Sequence, residues 1–87
     1  MTENELSRVL YDLGVPSHLY RLDGTHSELA HVLDRHEDRW EVFLSERGGK
    51  SSMREFANER DACAYLFGQV CWDLARSGRL LVTPAPT

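Results

Sequence analysis

The side chains in this sequence that could most readily bind a metal or act as acids and bases are four histidines: His18, His26, His31 and His36. Metal sites usually contain close pairs such as His-x-x-x-His, or clusters of cysteine and histidine. Here the spacings are eight, five and five residues, and both cysteines lie far away in the second half of the chain. The pattern therefore predicts surface or half-buried histidines, with neither a metal site nor a cofactor.

The segment Gly48-Gly49-Lys50-Ser51-Ser52 is similar to the end of a Walker A phosphate-binding loop. That motif requires a glycine five positions before the Gly-Lys pair, and Leu44 occupies this position. The segment also leads into a strand-like stretch, whereas a phosphate-binding loop leads into the N-terminus of a helix. We therefore interpret it as a hairpin turn and expect no nucleotide site.

Five residues are candidates for contact with a partner protein. Tyr65 and Trp72 are seven positions apart on a predicted helix, on a stripe about 150° from its apolar face. They either pack under the C-terminal tail or remain exposed, and both residue types are frequent interface anchors. Asp34, Glu37 and Asp38 surround a predicted hairpin tip, where they could be solvated or could attract basic residues of a partner.

The strongest strand signal runs from Trp40 to Arg47 and ends at Gly48-Gly49, which favours a tight turn. Alternation places Trp40, Val42 and Leu44 on one face, and Glu41, Phe43, Ser45 and Arg47 on the other. The preceding segment, 27–36, fits a strand or a helix. We prefer a strand that is joined to the Trp40 strand through a turn at residues 36–39.

Helices flank these strands. Thr2 and Glu5 form a capping-box pair for a helix over 2–13, and Asn58 is a good N-cap for a helix that continues to Arg76. Short strands are predicted at 18–22 and 52–56, with a further edge strand possible at 79–83. The fold class is α+β: an N-terminal helix, an antiparallel sheet of three to four strands, and a long C-terminal helix packed on one face, with the other face partly open. Residues 1–83 form one domain, and 84–87 are a Pro-rich tail.

Composition narrows the classes of function. A chain of 87 residues has room for one modest core and little room for a deep substrate cavity, so a binding protein is favoured over an enzyme. The net charge of −4 disfavours nucleic acid and mildly favours a basic protein partner. No apolar run could span a membrane and no signal peptide is evident, so we expect a cytoplasmic protein. Cys63 and Cys71, eight apart on one helix, should be free thiols.

Four segments together are similar to a group of small bacterial immunity proteins, which are associated with polymorphic or contact-dependent toxins. They are Tyr20-Arg21-Leu22-Asp23-Gly24, Trp40-Glu41-Val42-Phe43, Ser45-Glu46-Arg47-Gly48 and Phe56-x-x-Glu59-x-x-Ala62-Cys63-x-Tyr65-Leu66. The resemblance covers about residues 19–70. Leu44 stands where an aromatic residue is more usual, and residues 79–87 lie outside the pattern.

This resemblance implies an α+β scaffold without catalytic residues that binds one cognate toxin and blocks it. From the net charge, we expect the toxin to be basic at the contact surface. We expect the protein itself to be a monomer or a weak homodimer. Two alternatives stay open. One is a small hydrolase or ribonuclease that uses His31 or His36 with a carboxylate. The other is a homodimeric regulatory domain that pairs through Tyr65 and Trp72.

Overall fold

The computed structural model describes residues 1–78, which form two α-helices, a short 3-10 helix and a four-stranded sheet. The elements in chain order are α1 (Glu3–Asp12), a 3-10 helix (Ser17–Leu19), β1 (Tyr20–Arg21), β2 (His31–Arg35), β3 (Trp40–Glu46), β4 (Gly49–Phe56) and α2 (Glu59–Arg76). The strand order is β1-β2-β3-β4. The predicted α+β class is therefore confirmed. The possible strand at 79–83 and the tail at 84–87 lie outside the described residues.

Both helices begin at the predicted caps. Thr2 Oγ1 accepts a hydrogen bond from the Glu5 N–H at 3.2 Å, and the Glu5 carboxylate accepts one from the Thr2 N–H at 3.1 Å. Asn58 Oδ1 accepts a hydrogen bond from the Asp61 N–H at 2.9 Å. These bonds satisfy backbone donors that the first turn of a helix would otherwise leave without partners.

The main core lies between α1, α2 and one face of the sheet. Its buried residues are Leu6, Leu10, Val15, Leu33, Val42, Ala62, Cys63, Leu66, Val70 and Leu74. Five residues of α2 are buried in this core, and Phe67 is half-buried beside them. The prediction that the long helix packs on one face of the sheet is therefore confirmed. No helix within residues 1–78 is both long and apolar enough to cross a membrane.

The segment that fitted either a strand or a helix contains β2. Its five residues pair antiparallel with β3, and the turn between the two strands lies at residues 36–39, as predicted. The following hairpin turns one residue earlier than expected: Arg47 and Gly48 have φ of 52° and 77°, and Gly49 already pairs with Glu46. Positive φ at both central residues is typical of a type I′ turn, which matches the twist of the strands.

The sheet is not wholly antiparallel, because β1 pairs with β2 in parallel. Parallel strands require a connection that crosses the sheet. Residues 22–30 provide it on the face opposite the helices, where Gly24 approaches Asp34 and the His26 ring lies 5.1 Å from the Phe43 ring. This route explains why the first pairing differs from the predicted one.

The crossing segment also covers a face that we expected to be partly open. Phe43, Glu41 and Ser45 are only 1%, 3% and 2% exposed. The Leu29 N–H donates to the Ser45 carbonyl at 2.7 Å, and the Ser45 N–H donates to the Ala30 carbonyl at 2.9 Å, which fixes the end of the crossing segment to β3. Both faces of β3 are therefore buried, one under α2 and one under a loop and polar side chains.

Candidate functional site

Two groups of polar side chains lie on opposite faces of β2. His31 belongs to the face that packs against α2, and its Nε2 contacts Asp73 of that helix. His36 follows the end of β2 and contacts Asp34 and Glu41, which point to the other face. The two histidines therefore do not form one acid–base pair.

The first group lines a groove between α2 and strands β2–β4, which we call the α2 groove. Its volume is about 260 Å³, and its walls include His31, Leu44, Ser52, Tyr65, Gln69, Trp72, Asp73 and Arg76. A drug-sized ligand typically occupies roughly 300–1,000 Å³. The groove is therefore better matched to a side chain than to a large substrate.

At the base of the α2 groove, His31 and Asp73 join the sheet to α2. His31 Nε2 lies 2.5 Å from Asp73 Oδ2, and the His31 side chain is 8% exposed. The other carboxylate oxygen of Asp73 accepts a hydrogen bond from Arg76 Nη2 at 3.1 Å. A carboxylate that orients an imidazole can support general base catalysis, but it can equally fix two elements together.

The two aromatic candidates differ in their surroundings. Tyr65 is half-buried, and its ring lies 5.3 Å from the ring of Phe56, so it belongs partly to the core. Trp72 is 64% exposed at the edge of the α2 groove. Exposure of so large an aromatic side chain makes Trp72 the stronger candidate for contact with a partner.

The second group, which we call the Glu41 cluster, consists of Asp34, His36, Arg39, Glu41 and Lys50. Glu41 Oε1 accepts a hydrogen bond from Lys50 Nζ at 2.8 Å and lies 3.1 Å from His36 Nε2. Glu41 Oε2 accepts a hydrogen bond from Arg39 Nη2 at 3.4 Å. The Lys50 hydrogen bond is the main reason that the pKa of Glu41 is lowered, while burial opposes this effect and His36 adds to it.

The crossing segment packs closely against this cluster. A Cβ atom at Gly24 would lie 2.5 Å from Asp34 Oδ1, and Gly24 has φ of 81°, so only glycine fits here without strain. The next residue, Thr25, donates to Asp23 Oδ1 from its hydroxyl at 2.6 Å and from its N–H at 3.1 Å. These hydrogen bonds lower the pKa of Asp23 and hold the turn beside Asp34.

The three acidic candidates lie near the β2–β3 turn, but they are not equivalent. Glu37 and Asp38 are exposed, and Asp38 accepts a hydrogen bond from Arg39 Nη1 at 3.0 Å. Asp34 is half-buried within the Glu41 cluster and lies 3.4 Å from His36 Nε2. Asp34 is therefore less available to a partner than the two residues of the turn.

The five candidates do not form one continuous patch. The turn follows one end of β2, and Trp72 is next to Asp73, which contacts His31 at the other end. Five residues at ~3.3 Å each separate these regions by roughly 16 Å. Neither the His31–Asp73 contact nor the Glu41–Lys50 contact is predicted from the sequence. For the Glu41–Lys50 contact, the sequence does contain a signal. Alternation places Glu41 on the same face of β3 as Phe43, and this face is buried in the structure.

Comparisons with protein-family models, with curated proteins and with solved structures found no significant match. The similarity to immunity proteins thus rests on the four segments quoted above. Any function must be inferred from the surfaces of the chain and from its charge.

Proposed function

We propose that this protein is an immunity protein, which binds a cognate bacterial toxin in a stoichiometric complex and inactivates it without catalysing a reaction. The observation that carries the proposal is the α2 groove with the exposed Trp72 at its edge. An aromatic side chain beside a pocket of side-chain size is the usual arrangement of an interface hot spot.

The Asp73 carboxylate is the group in the groove that would favour a basic toxin side chain. Asp73 is 38% exposed, and its partner Arg76 is 70% exposed, so a basic side chain of the toxin could replace Arg76 at this carboxylate. Trp72 would contact the same basic side chain through its ring face. The net charge of −4 would favour the approach of a basic protein surface.

The β2–β3 turn provides a second contact area. Glu37 and Asp38 are exposed there, roughly 16 Å from the groove by the length of β2. A protein interface of standard size buries about 800 Å² on each partner, which is enough to include both areas. We therefore expect Trp72 to contribute most of the affinity, and the two acids to contribute mainly to the association rate.

The test uses the product of the open reading frame beside the gene of this protein, which the proposal requires to be the toxin. Isothermal titration calorimetry should give a 1:1 complex, and co-expression should rescue cells from the toxin. Trp72→Ala should weaken binding by about 30-fold, as expected for a hot-spot residue worth ~2 kcal/mol. Tyr11→Ala is the matched control, because Tyr11 is 80% exposed on α1 and does not line the groove.

Two results would refute the proposal: no complex with the toxin and no rescue, or equal affinity for the Trp72→Ala and wild-type proteins. Light scattering must also measure the oligomeric state of the wild-type protein and of Trp72→Ala. If Trp72→Ala converts a dimer into a monomer, the exposed tryptophan is a self-association contact, and the homodimeric alternative replaces this assignment.

A second candidate function is hydrolysis in the α2 groove. His31, Asp73 and Ser52 all line it, and Ser52 has φ of 52°, a strained conformation that is often found at functional sites. A hydrolase would lose activity in His31→Gln and Ser52→Ala. Hydrolysis by the wild-type protein that both variants abolish, while circular dichroism shows them to be folded, would separate a hydrolase from an inhibitor that acts only by binding.

A further inference from the structure

We propose that the Glu41 cluster binds a divalent transition-metal ion of the zinc type through Asp34 Oδ2, His36 Nε2 and Glu41 Oε1. This inference does not depend on the toxin-binding proposal, because its three ligands are not among the residues proposed to contact the toxin. The spacing of the histidines did not predict it, since the ligands come from two strands and the turn between them.

The distances between the three ligand atoms support a shared ion. His36 Nε2 lies 3.4 Å from Asp34 Oδ2 and 3.1 Å from Glu41 Oε1, and all three atoms are within 4.8 Å of one another. Zinc binds nitrogen and carboxylate oxygen at ~2.0–2.2 Å, which places neighbouring ligands of one ion roughly 3–3.5 Å apart. The three atoms can therefore converge on one ion with small side-chain movements.

The position of His36 Nε2 also supports a cation site. Its Nε2 is buried, yet among residues 1–78 it makes no hydrogen bond with acceptable angles, although two carboxylates lie within 3.4 Å. A metal ion between the three atoms would give this buried nitrogen a partner and would attract both carboxylates. One imidazole with two carboxylates suits zinc, cobalt or nickel better than calcium or magnesium.

The ligands are held by regular structure. Asp34 and Glu41 are directly opposite each other in the β2–β3 pairing, and the His36 N–H donates to the Arg39 carbonyl at 2.8 Å across the turn. The Glu41 side chain is 4% exposed, so its rotamer is limited by packing. A rigid first shell of this kind reduces the cost of arranging the ligands around an ion.

Lys50 would compete with the metal ion for Glu41 Oε1. Its ammonium lies 2.8 Å from Glu41 Oε1, the same oxygen that the ion would use, and the Lys50 side chain is 36% exposed. Lys50 can therefore leave for solvent when an ion binds. Arg39 contacts the other oxygen of Glu41 and also lies 3.6 Å from Glu55, so it can remain in place. Removal of the Lys50 charge should consequently strengthen metal binding, although it should weaken the metal-free fold.

The experiment titrates the purified full-length chain with cobalt(II) chloride, and follows visible d–d absorption and calorimetry. Wild type should bind one ion per chain. His36→Gln should weaken binding by more than the ~10–100-fold that loss of an outer-shell partner costs. Asp34→Asn should have the same effect, and Lys50→Met should bind several-fold more tightly. His18→Gln is the control, because His18 is exposed on the 3-10 helix.

Circular dichroism of each variant confirms that it is folded, and a misfolded His36→Gln is replaced by Asp34→Asn. The proposal is overturned if neither wild type nor Lys50→Met binds cobalt, or if His36→Gln and Asp34→Asn bind as tightly as wild type. It is also overturned if His18→Gln loses the ion, since the site would then lie elsewhere.

Discussion

Replacement of Lys50 by methionine should destabilise the protein at neutral pH, because Glu41 would stay buried without its nearest cation. The Glu41 side chain is 4% exposed and its Oε1 accepts the Lys50 hydrogen bond at 2.8 Å. Breaking a fully buried pair costs about 3–5 kcal/mol. Lys50 is 36% exposed, and Arg39 and His36 remain beside Glu41, so we expect a smaller loss of roughly 1–3 kcal/mol in the free energy of unfolding.

The pH dependence identifies the cause of this loss. Because the pKa of Glu41 lies below its ordinary value of 4.5, the ionised carboxylate stabilises the fold above that pH, and the stabilisation disappears as the pH falls through the lowered pKa. Without the Lys50 hydrogen bond, the largest cause of the lowering, the pKa of Glu41 should rise. The difference in the free energy of unfolding between wild type and Lys50→Met should therefore be largest at pH 7. It should become smaller below pH 4.5.

Urea denaturation at pH 7 and at a series of lower pH values measures this difference. Arg8→Met is the matched control, because Arg8 is 85% exposed and pairs with Asp12 at 3.9 Å on the surface of α1. Its unfolding midpoint should match that of wild type. An equal loss for Lys50→Met at every pH would refute the electrostatic explanation, and would point instead to the contact of Lys50 with the Phe43 ring.

Two further predictions concern buried side chains. Phe43→Ala should lower the free energy of unfolding by about 3–5 kcal/mol, because Phe43 is 1% exposed. Denaturation by urea measures this loss. A loss below ~1 kcal/mol would show that the crossing segment does not cover that face of the sheet. The thiols of Cys63 and Cys71 should react slowly with an aromatic disulfide reagent at pH 8 in the native protein and fast in urea, because burial raises the pKa of Cys63 to about 11 and also raises that of Cys71. Fast reaction of both thiols in the native state would contradict the packing of α2.

The helices could be predicted from the sequence because their signals are local. The caps at Thr2 and Asn58 lie within three residues of the groups that they satisfy, and apolar periodicity identifies the buried face of α2. The β2–β3 hairpin could be predicted for a similar reason, since alternation and a polar turn are contiguous in the sequence. Where capping residues, periodicity and turn residues indicate the same element, the structure contains that element.

The path of the crossing segment could not be predicted, because no local pattern specifies which face residues 22–30 cover. Its consequences, the parallel β1 and the buried Phe43, follow from contacts between distant parts of the chain. The Glu41 cluster depends in the same way on register: Glu41 meets Lys50 only because β4 folds back beside β3. A site whose residues are brought together by strand pairing does not appear in the sequence as a motif with fixed spacing.

The two faces of β2 separate the Glu41 cluster from the α2 groove, and this separation allows the metal site and the groove to be tested separately. His31 and Asp34 are three residues apart, but His31 contacts α2, whereas Asp34 lies beside Gly24 and His36 on the opposite side. Side chains without shared partners usually have additive effects on stability. Loss of metal binding in His36→Gln should therefore leave the His31–Asp73 contact intact. If that variant also lost affinity for the toxin, the loss would be assigned to the β2–β3 turn, because His36 directly precedes the proposed contacts Glu37 and Asp38.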